Sequence, residues 1–187
     1  MSVNRSQKRG GRQRSAKQRA AAVVVESIVF MVVAPLSLAT IASALDQWLQ
    51  LPRFTYGPVN LVVGLLFVVP GWLFAMWFVQ AQFSLGDGIP VFATQKLIVQ
   101  GPYAHCRNPM VLGTDLFYIG ISIWMGSLSA VGLTMLFATL SAVYHKVIEE
   151  KRLEARFGSE YLEYKQQTPF LIPRLTICGR QQNGENL

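Results

Sequence analysis

Two short stretches hold the residue types that could do chemistry: GPYAHCRNPMVLG at 101–113 and YHKVIEE at 144–150. Arg107 offers a planar donor fork that suits a carboxylate or phosphate. Glu149 and Glu150 offer acceptors for an ammonium group or for ribose hydroxyls. Tyr103, His105, Tyr144 and His145 add flat faces for a purine or a cation. Together these groups complement a zwitterion that carries a ring system. Singly they are ordinary: an adjacent Glu pair at a helix end usually faces solvent, and Asn108-Pro109 alone reads as a turn with proline at the first helical position. Both stretches, however, border apolar segments, where polar groups are costly unless paired or placed in a wet cavity.

The elements that must position them are apolar. Of 187 residues, 51% are hydrophobic and 14% charged, more apolar than a typical soluble domain. The apolar residues fall in blocks of roughly 20, the length of a membrane-crossing helix. Four spans are expected, at about 21–45, 58–83, 110–124 and 128–147, with 46–56 as a polar connection between the first two. Pro35 and Pro70 predict bends, and Gly64 and Gly71 permit close helix approach. The turn at 125–127 is so short that the last two spans must form an antiparallel hairpin. Both site stretches then lie on one side of the membrane, and Asp115 should face the protein interior. Beyond residue 147 the helix continues on an apolar face through Leu153 and Phe157, breaks at Gly158, and is stopped by Pro169 and Pro173. The fold class is all-α: a polytopic membrane helix bundle of about four transmembrane helices with a C-terminal helical hairpin and a cytoplasmic helix. Its expected parts are a basic tail (1–20), two N-terminal spans (21–83), a core holding both site stretches (84–175) and a flexible end (176–187).

The formal charge is +7, and residues 1–20 hold seven basic side chains and no acid. Beside a membrane span such a tail reads as the cytoplasmic flank of the positive-inside rule, in contact with anionic lipid, and no nucleic-acid partner is expected. The chain should thus be multi-pass with both termini cytoplasmic. Cys106 and Cys178 have no CxxC spacing and no Cys/His cluster around them, so no metal site is expected. Nothing in the pattern sets an oligomeric state.

A ligand with carboxylate, amine, ribose, purine and sulfonium is S-adenosylmethionine, on residue chemistry one candidate among several nucleotides; no GxGxxG or GxxxxGK[ST] loop favours a dinucleotide or triphosphate. Gly101, Pro102, Tyr103, Arg107, Asn108, Pro109, Met110 and Gly113, followed by Glu149, Glu150, Leu153, Phe157, Gly158, Tyr161, Tyr164, Pro169 and Pro173, form an ordered set over about 84–173. That set closely resembles the C-terminal half of the isoprenylcysteine carboxyl methyltransferase and phospholipid methyltransferase family. The resemblance implies an integral membrane enzyme that transfers a methyl group from S-adenosyl-L-methionine to a lipophilic acceptor (phospholipid amine, carboxylate or another small lipophile) entering from the bilayer. It implies Arg107 on the cofactor carboxylate, Glu149 and Glu150 on its amine or ribose, Tyr103 and Asn108 as walls, and backbone around Pro109 at the adenine. Gly101, Pro102, His105, Met110, Gly113 and Tyr144 complete the expected cofactor-binding set, with Arg107 and Glu150 as the catalytic pair. Many members have His at Asn108, an aromatic at Val111 and His or Arg at Ile148, which leaves the acceptor open. Membrane sterol reductases, which use NADPH, resemble the same region but should need more basic residues than Arg107 and Lys96. A non-catalytic four-span lipid-binding protein is the third reading.

Overall fold

The computed structural model describes residues 25, 28–54, 56–85 and 97–173. The basic tail, Glu26, the middle of the loop after the second span with Lys96, Cys178 and the C-terminal end lie outside them. Every regular element among the described residues is helical. Helix α1 is Val29–Trp48, α2 Pro58–Leu85, α3 Pro109–Met125, α4 Leu128–Phe157 and α5 Ser159–Gln167.

In α1, α2 and α4, segments of 20, 24 and 30 residues are long and apolar enough to cross a membrane. Helix α3, expected as a fourth span, is apolar but only 17 residues long. At 1.5 Å per residue it reaches about 25 Å, near the lower limit for a span. It lies along α2, on glycines. A Cβ on Gly64 would come within 2.8 Å of Gly120 O, and one on Gly71 within 2.6 Å of Phe117 N. A Cβ on Gly120 would stand 2.7 Å from Val68 N. The two glycine pairs recur at the same spacing on both helices, so the backbones approach along an antiparallel seam.

Proline shapes the start of α1. Pro35 has no N–H to give Met31 O, and the preceding turn Val29–Val33 is widened to π-helical, Ala34 N–H bonding to Val29 O. The same helix runs to Trp48, past the expected end at 45, so Asp46 belongs to the helix rather than to a polar connection. Its carboxylate is buried, accepting from Ser127 Oγ at 2.6 Å and from Ser129 N–H at 3.1 Å. Ser127 in turn caps α4 by accepting from Ala130 N–H, after Gly126 turns the chain at φ +60°. Asn60 Nδ2 donates to Phe54 O and Ile123 O at the same end. One polar cluster thus pins this end of the bundle.

Candidate functional site

The other end of the α3/α4 hairpin carries both chemical stretches. Residues Gly101–Ala104 form a single 3-10 turn, begun by Gly101 at φ +64°, and Pro109 starts α3. Helix α4 is broken at His145–Glu149 by one π-helical turn, in which Glu150 N–H reaches back to His145 O. An unbroken α-helix would turn Glu150 by about 100°. As built, Glu150 is buried and Arg107 Nη1 meets its Oε1 at 2.5 Å. The sequence expectation that the two stretches meet is borne out at these side chains.

The charges do not stop there. Gly158, at φ +56°, bends the chain back so that α5 returns along the site. Lys165 Nζ then lies 2.8 Å from Glu150 Oε2 and 2.7 Å from Glu154 Oε1. The hydrogen bonds that Lys165 donates to Glu150 and Glu154 raise its pKa, which holds the ammonium charged. Tyr161 is almost fully buried beside Arg107 and Glu150; burial first, and then the Glu150 charge, push its hydroxyl pKa up, so it stays a neutral phenol. Tyr164, pushed up by burial as well, donates to Tyr103 O at 2.7 Å. The segment after α5 closes over the loop: Arg107 N–H donates to Pro169 O at 2.9 Å, and Asn108 Nδ2 to Phe170 O at 3.2 Å. The Phe170 ring lies 5.7 Å from the Arg107 guanidinium and 6.0 Å from Lys146 Nζ.

The ion pair at the centre is incomplete in one respect. Arg107 Nη1 and Glu150 Oε1 touch off the N–H axis, and Arg107 Nε, Arg107 Nη1 and Glu150 Oε1 are buried without a hydrogen-bond partner among the described residues. Burying two ions costs several kcal/mol each, and such a pair stabilises a fold only when its remaining donors and acceptors are satisfied.

Not every expected site residue joins this centre. Glu149 turns outward to Arg152 at 3.6 Å, and Arg152 also donates to the hydroxyl of Tyr144, a residue 43% exposed. Gly113 faces α2, where a Cβ would sit 3.0 Å from Ala75 N and 3.1 Å from Gly71 O, so its smallness serves helix contact. Pro102 and Pro109 are buried in the loop's foundation, while Tyr103 packs on Phe78 and His105 on Trp77. Cys106 is fully buried, and desolvation pushes its thiol up to about 11, leaving it unreactive. Sequence reasoning missed Lys165 and the site role of Tyr161. The available signal was the Tyr161/Tyr164 spacing, which puts two rings on one face of a charged helix. Among the described residues no group of three or more His, Cys, Asp or Glu is placed to hold a metal ion.

Residues 59–160 match the phospholipid methyltransferase family. The chain belongs to that family. Within it, residues 59–160 take in the glycine seam, the Arg107 loop, the hairpin and Glu150, with Tyr161 and Lys165 just beyond. A phospholipid methyltransferase family domain in a bundle with three span-length apolar helices makes this a membrane protein of that family. The chain is 32% identical over 82 residues to the cobalt-zinc-cadmium resistance protein CzcN of Cupriavidus metallidurans, covering 43% of this chain and 37% of that protein. It is 24% identical over 133 residues to the nickel-cobalt-cadmium resistance protein NccN of Alcaligenes xylosoxydans xylosoxydans, covering 71% of this chain and 55% of that protein. The matched region therefore spans between about a third and just over half the length of these relatives.

Proposed function

We propose that the chain is an S-adenosylmethionine-dependent methyltransferase acting on a lipophilic acceptor, with the cofactor's amino-acid end held at Arg107 and Glu150. The observation that carries this reading is the buried Arg107–Glu150 ion pair, in which Arg107 Nε and Nη1 and Glu150 Oε1 make no hydrogen bond to another described residue. Arg107 Nε and Nη1 form one edge of a guanidinium, the donor fork that fits a carboxylate, and Glu150 Oε1 beside them is an acceptor for an ammonium group or a ribose hydroxyl. The donor set therefore fits the zwitterionic end of S-adenosylmethionine. When bound, that cofactor supplies an already activated methyl on a sulfonium, so no covalent enzyme intermediate is needed.

The protein's own contributions are positional. Lys165, itself paired with Glu154, holds Glu150 Oε2, leaving Oε1 turned to Arg107. Pro169 O and Phe170 O fix the backbone of Arg107 and the side chain of Asn108. Phe170 covers the guanidinium and excludes water, which strengthens each charge interaction beneath it. Tyr103, Asn108 and the backbone near Pro109 wall the pocket for the nucleoside, with Gly101, Pro102, His105 and Met110 around them. The acceptor arrives from the bilayer along the apolar faces of α3 and α4.

Calorimetric titration of S-adenosylmethionine and its demethylated product into detergent-solubilised protein tests this, with NADPH as comparison. Charge-assisted hydrogen bonds contribute about 1.5–3 kcal/mol, so Arg107→Ala and Glu150→Ala should each weaken binding by roughly tenfold to a hundredfold. Unchanged affinity in both variants, or binding of NADPH alone, refutes the reading.

A further inference from the structure

Helix α5 lies mostly beyond the stretch that matches the family, yet it reaches the centre of the site. Glu150 and Glu154 stand one helical turn apart on the same face of α4, where two carboxylates repel. The bend at Gly158 brings a cation to them. Lys165 lies about as far beyond that bend as Glu150 lies before it, so the two come level as α5 runs back. Its Nζ is 2.8 Å from Glu150 Oε2 and 2.7 Å from Glu154 Oε1.

A guanidinium and a carboxylate that are free to turn meet as a bidentate fork, two parallel hydrogen bonds that satisfy both groups. The buried pair does not. Arg107 Nη1 meets Glu150 Oε1 alone, and Arg107 Nε has no hydrogen-bond partner among the described residues. The second oxygen that a fork would need, Oε2, is the one bound to Lys165. An ion pair left unsatisfied in a buried place is costly, so something must keep it from closing. Docking of α5 does not account for Lys165. Tyr164 donates to Tyr103 O at 2.7 Å, Arg107 N–H to Pro169 O at 2.9 Å and Asn108 Nδ2 to Phe170 O at 3.2 Å, with Tyr161 and Thr168 buried between them. The Lys165 side chain, by contrast, is 36% exposed.

We propose that Lys165 is a positioning residue: by holding Glu150 Oε2 it keeps the buried pair from closing into a fork, and so keeps the Nε/Nη1 edge of Arg107 open to a ligand's carboxylate. The proposal rests on the reading of Arg107 and Glu150 above and adds the residue that preorganises them. Without the Lys165 ammonium, the Glu150 carboxylate turns both oxygens to Arg107 and fills that edge itself. A ligand with an amino-acid end must then break the fork before it binds, whereas a nucleoside without that end meets no change. Preorganisation raises affinity by removing such a cost. The fold hardly feels the exchange, because the pair gains a hydrogen bond as it loses the Lys165 contact, and Glu154, one-third exposed, is left to water.

Calorimetric titration of the full chain in detergent with two ligands tests this: S-adenosylhomocysteine, which carries the amino-acid end, and 5′-methylthioadenosine, which keeps the nucleoside and lacks it. Lys165→Met should weaken the first about tenfold or more and leave the second within about twofold, with the thermal midpoint unmoved beyond a few degrees. Lys165→Arg, which keeps a cation in place, should bind S-adenosylhomocysteine within about threefold of wild type. In a Glu150→Gln background Lys165→Met should cost less than about twofold, since no carboxylate remains to turn. Where Lys165→Met does not give a monodisperse protein, Lys165→Gln takes its place in the same comparison. Equal losses for the two ligands, a fall in midpoint that tracks the loss of affinity, or losses that add in the double variant overturn the proposal. So does tighter binding of S-adenosylhomocysteine, or a loss in Lys165→Arg equal to that in Lys165→Met. A wild-type chain that binds neither S-adenosylmethionine nor S-adenosylhomocysteine would instead bring down the preceding reading.

Discussion

Glu149 and Glu150 are chemically identical neighbours with opposite surroundings, and the difference is set by backbone rather than side chain. The π-helical turn ending at Glu149 turns Glu150 inward to Arg107 and Lys165 and leaves Glu149 beside the solvated Arg152. An exposed ion pair contributes little, usually under about 1 kcal/mol, whereas a buried charge-assisted contact contributes more. Glu149→Gln should therefore change S-adenosylmethionine affinity by less than about threefold, while Glu150→Gln weakens it at least tenfold. Parallel calorimetric titrations of the two variants decide this, and equal losses would show that the inward turn has no bearing on binding. The sequence made Arg107 and the Glu pair legible because charge at the lip of an apolar span is conspicuous. It could not say which Glu turns inward, since one residue's difference in helical winding decides that, nor that Lys165 would return to Glu150, since that contact depends on the bend at Gly158.

Helices α2 and α3 hold the Arg107 loop in place through a seam without side chains. In lipid, helix association rests on close packing rather than on expulsion of water, so small residues at the contact matter more than apolar ones. Gly64 and Gly71 were readable as contact residues from their place in an apolar run; Gly113, expected at the cofactor, serves the same seam instead. A motif glycine gives no sign of which neighbour comes close, because a missing side chain leaves the same trace in sequence whether a ligand or a backbone approaches. Gly120 and Gly132 give a direct contrast. A Cβ at Gly120 meets Gly64 O at 2.6 Å and Val68 N at 2.7 Å, backbone atoms that no rotamer change can move, whereas one at Gly132 meets nothing within 4 Å. Gly120→Ala should cost about 1–3 kcal/mol by overpacking. Gly132→Ala should be neutral or stabilise by about 0.5–1 kcal/mol through helix propensity. Thermal unfolding of both in one detergent, followed by fluorescence-detected size exclusion, should separate the midpoints in opposite directions from wild type.

Across the whole molecule, two polar clusters stand at opposite ends of the same hairpin: Asp46 with Ser127, Ser129 and Asn60 at the turn, and Arg107 with Glu150 and Lys165 at the open end. Their surroundings differ in charge. The open end carries Lys146, Lys151, Arg152, Arg156 and Lys165 as well as Arg107, whereas Arg53 is the basic residue beside the turn. Short flanking segments rich in Lys and Arg stay on the cytoplasmic side, and the aromatic residues Trp48 and Tyr56, both highly exposed, suit the opposite interface. The site should therefore open to the cytoplasm, where S-adenosylmethionine is made, and the Asp46 cluster should lie near the outer face. A fluorescent protein fused after residue 187 should light up, and alkaline phosphatase at the same point should stay inactive. Single cysteines placed at Gln50 and at Lys151, in a chain with Cys106 and Cys178 replaced by serine, refine the test. A membrane-impermeant maleimide applied to intact cells should label the first and spare the second. Labelling of the Lys151 position from outside would reverse the orientation and separate the site from its methyl donor, a result that no rearrangement within the helix bundle could reconcile with cofactor binding at Arg107.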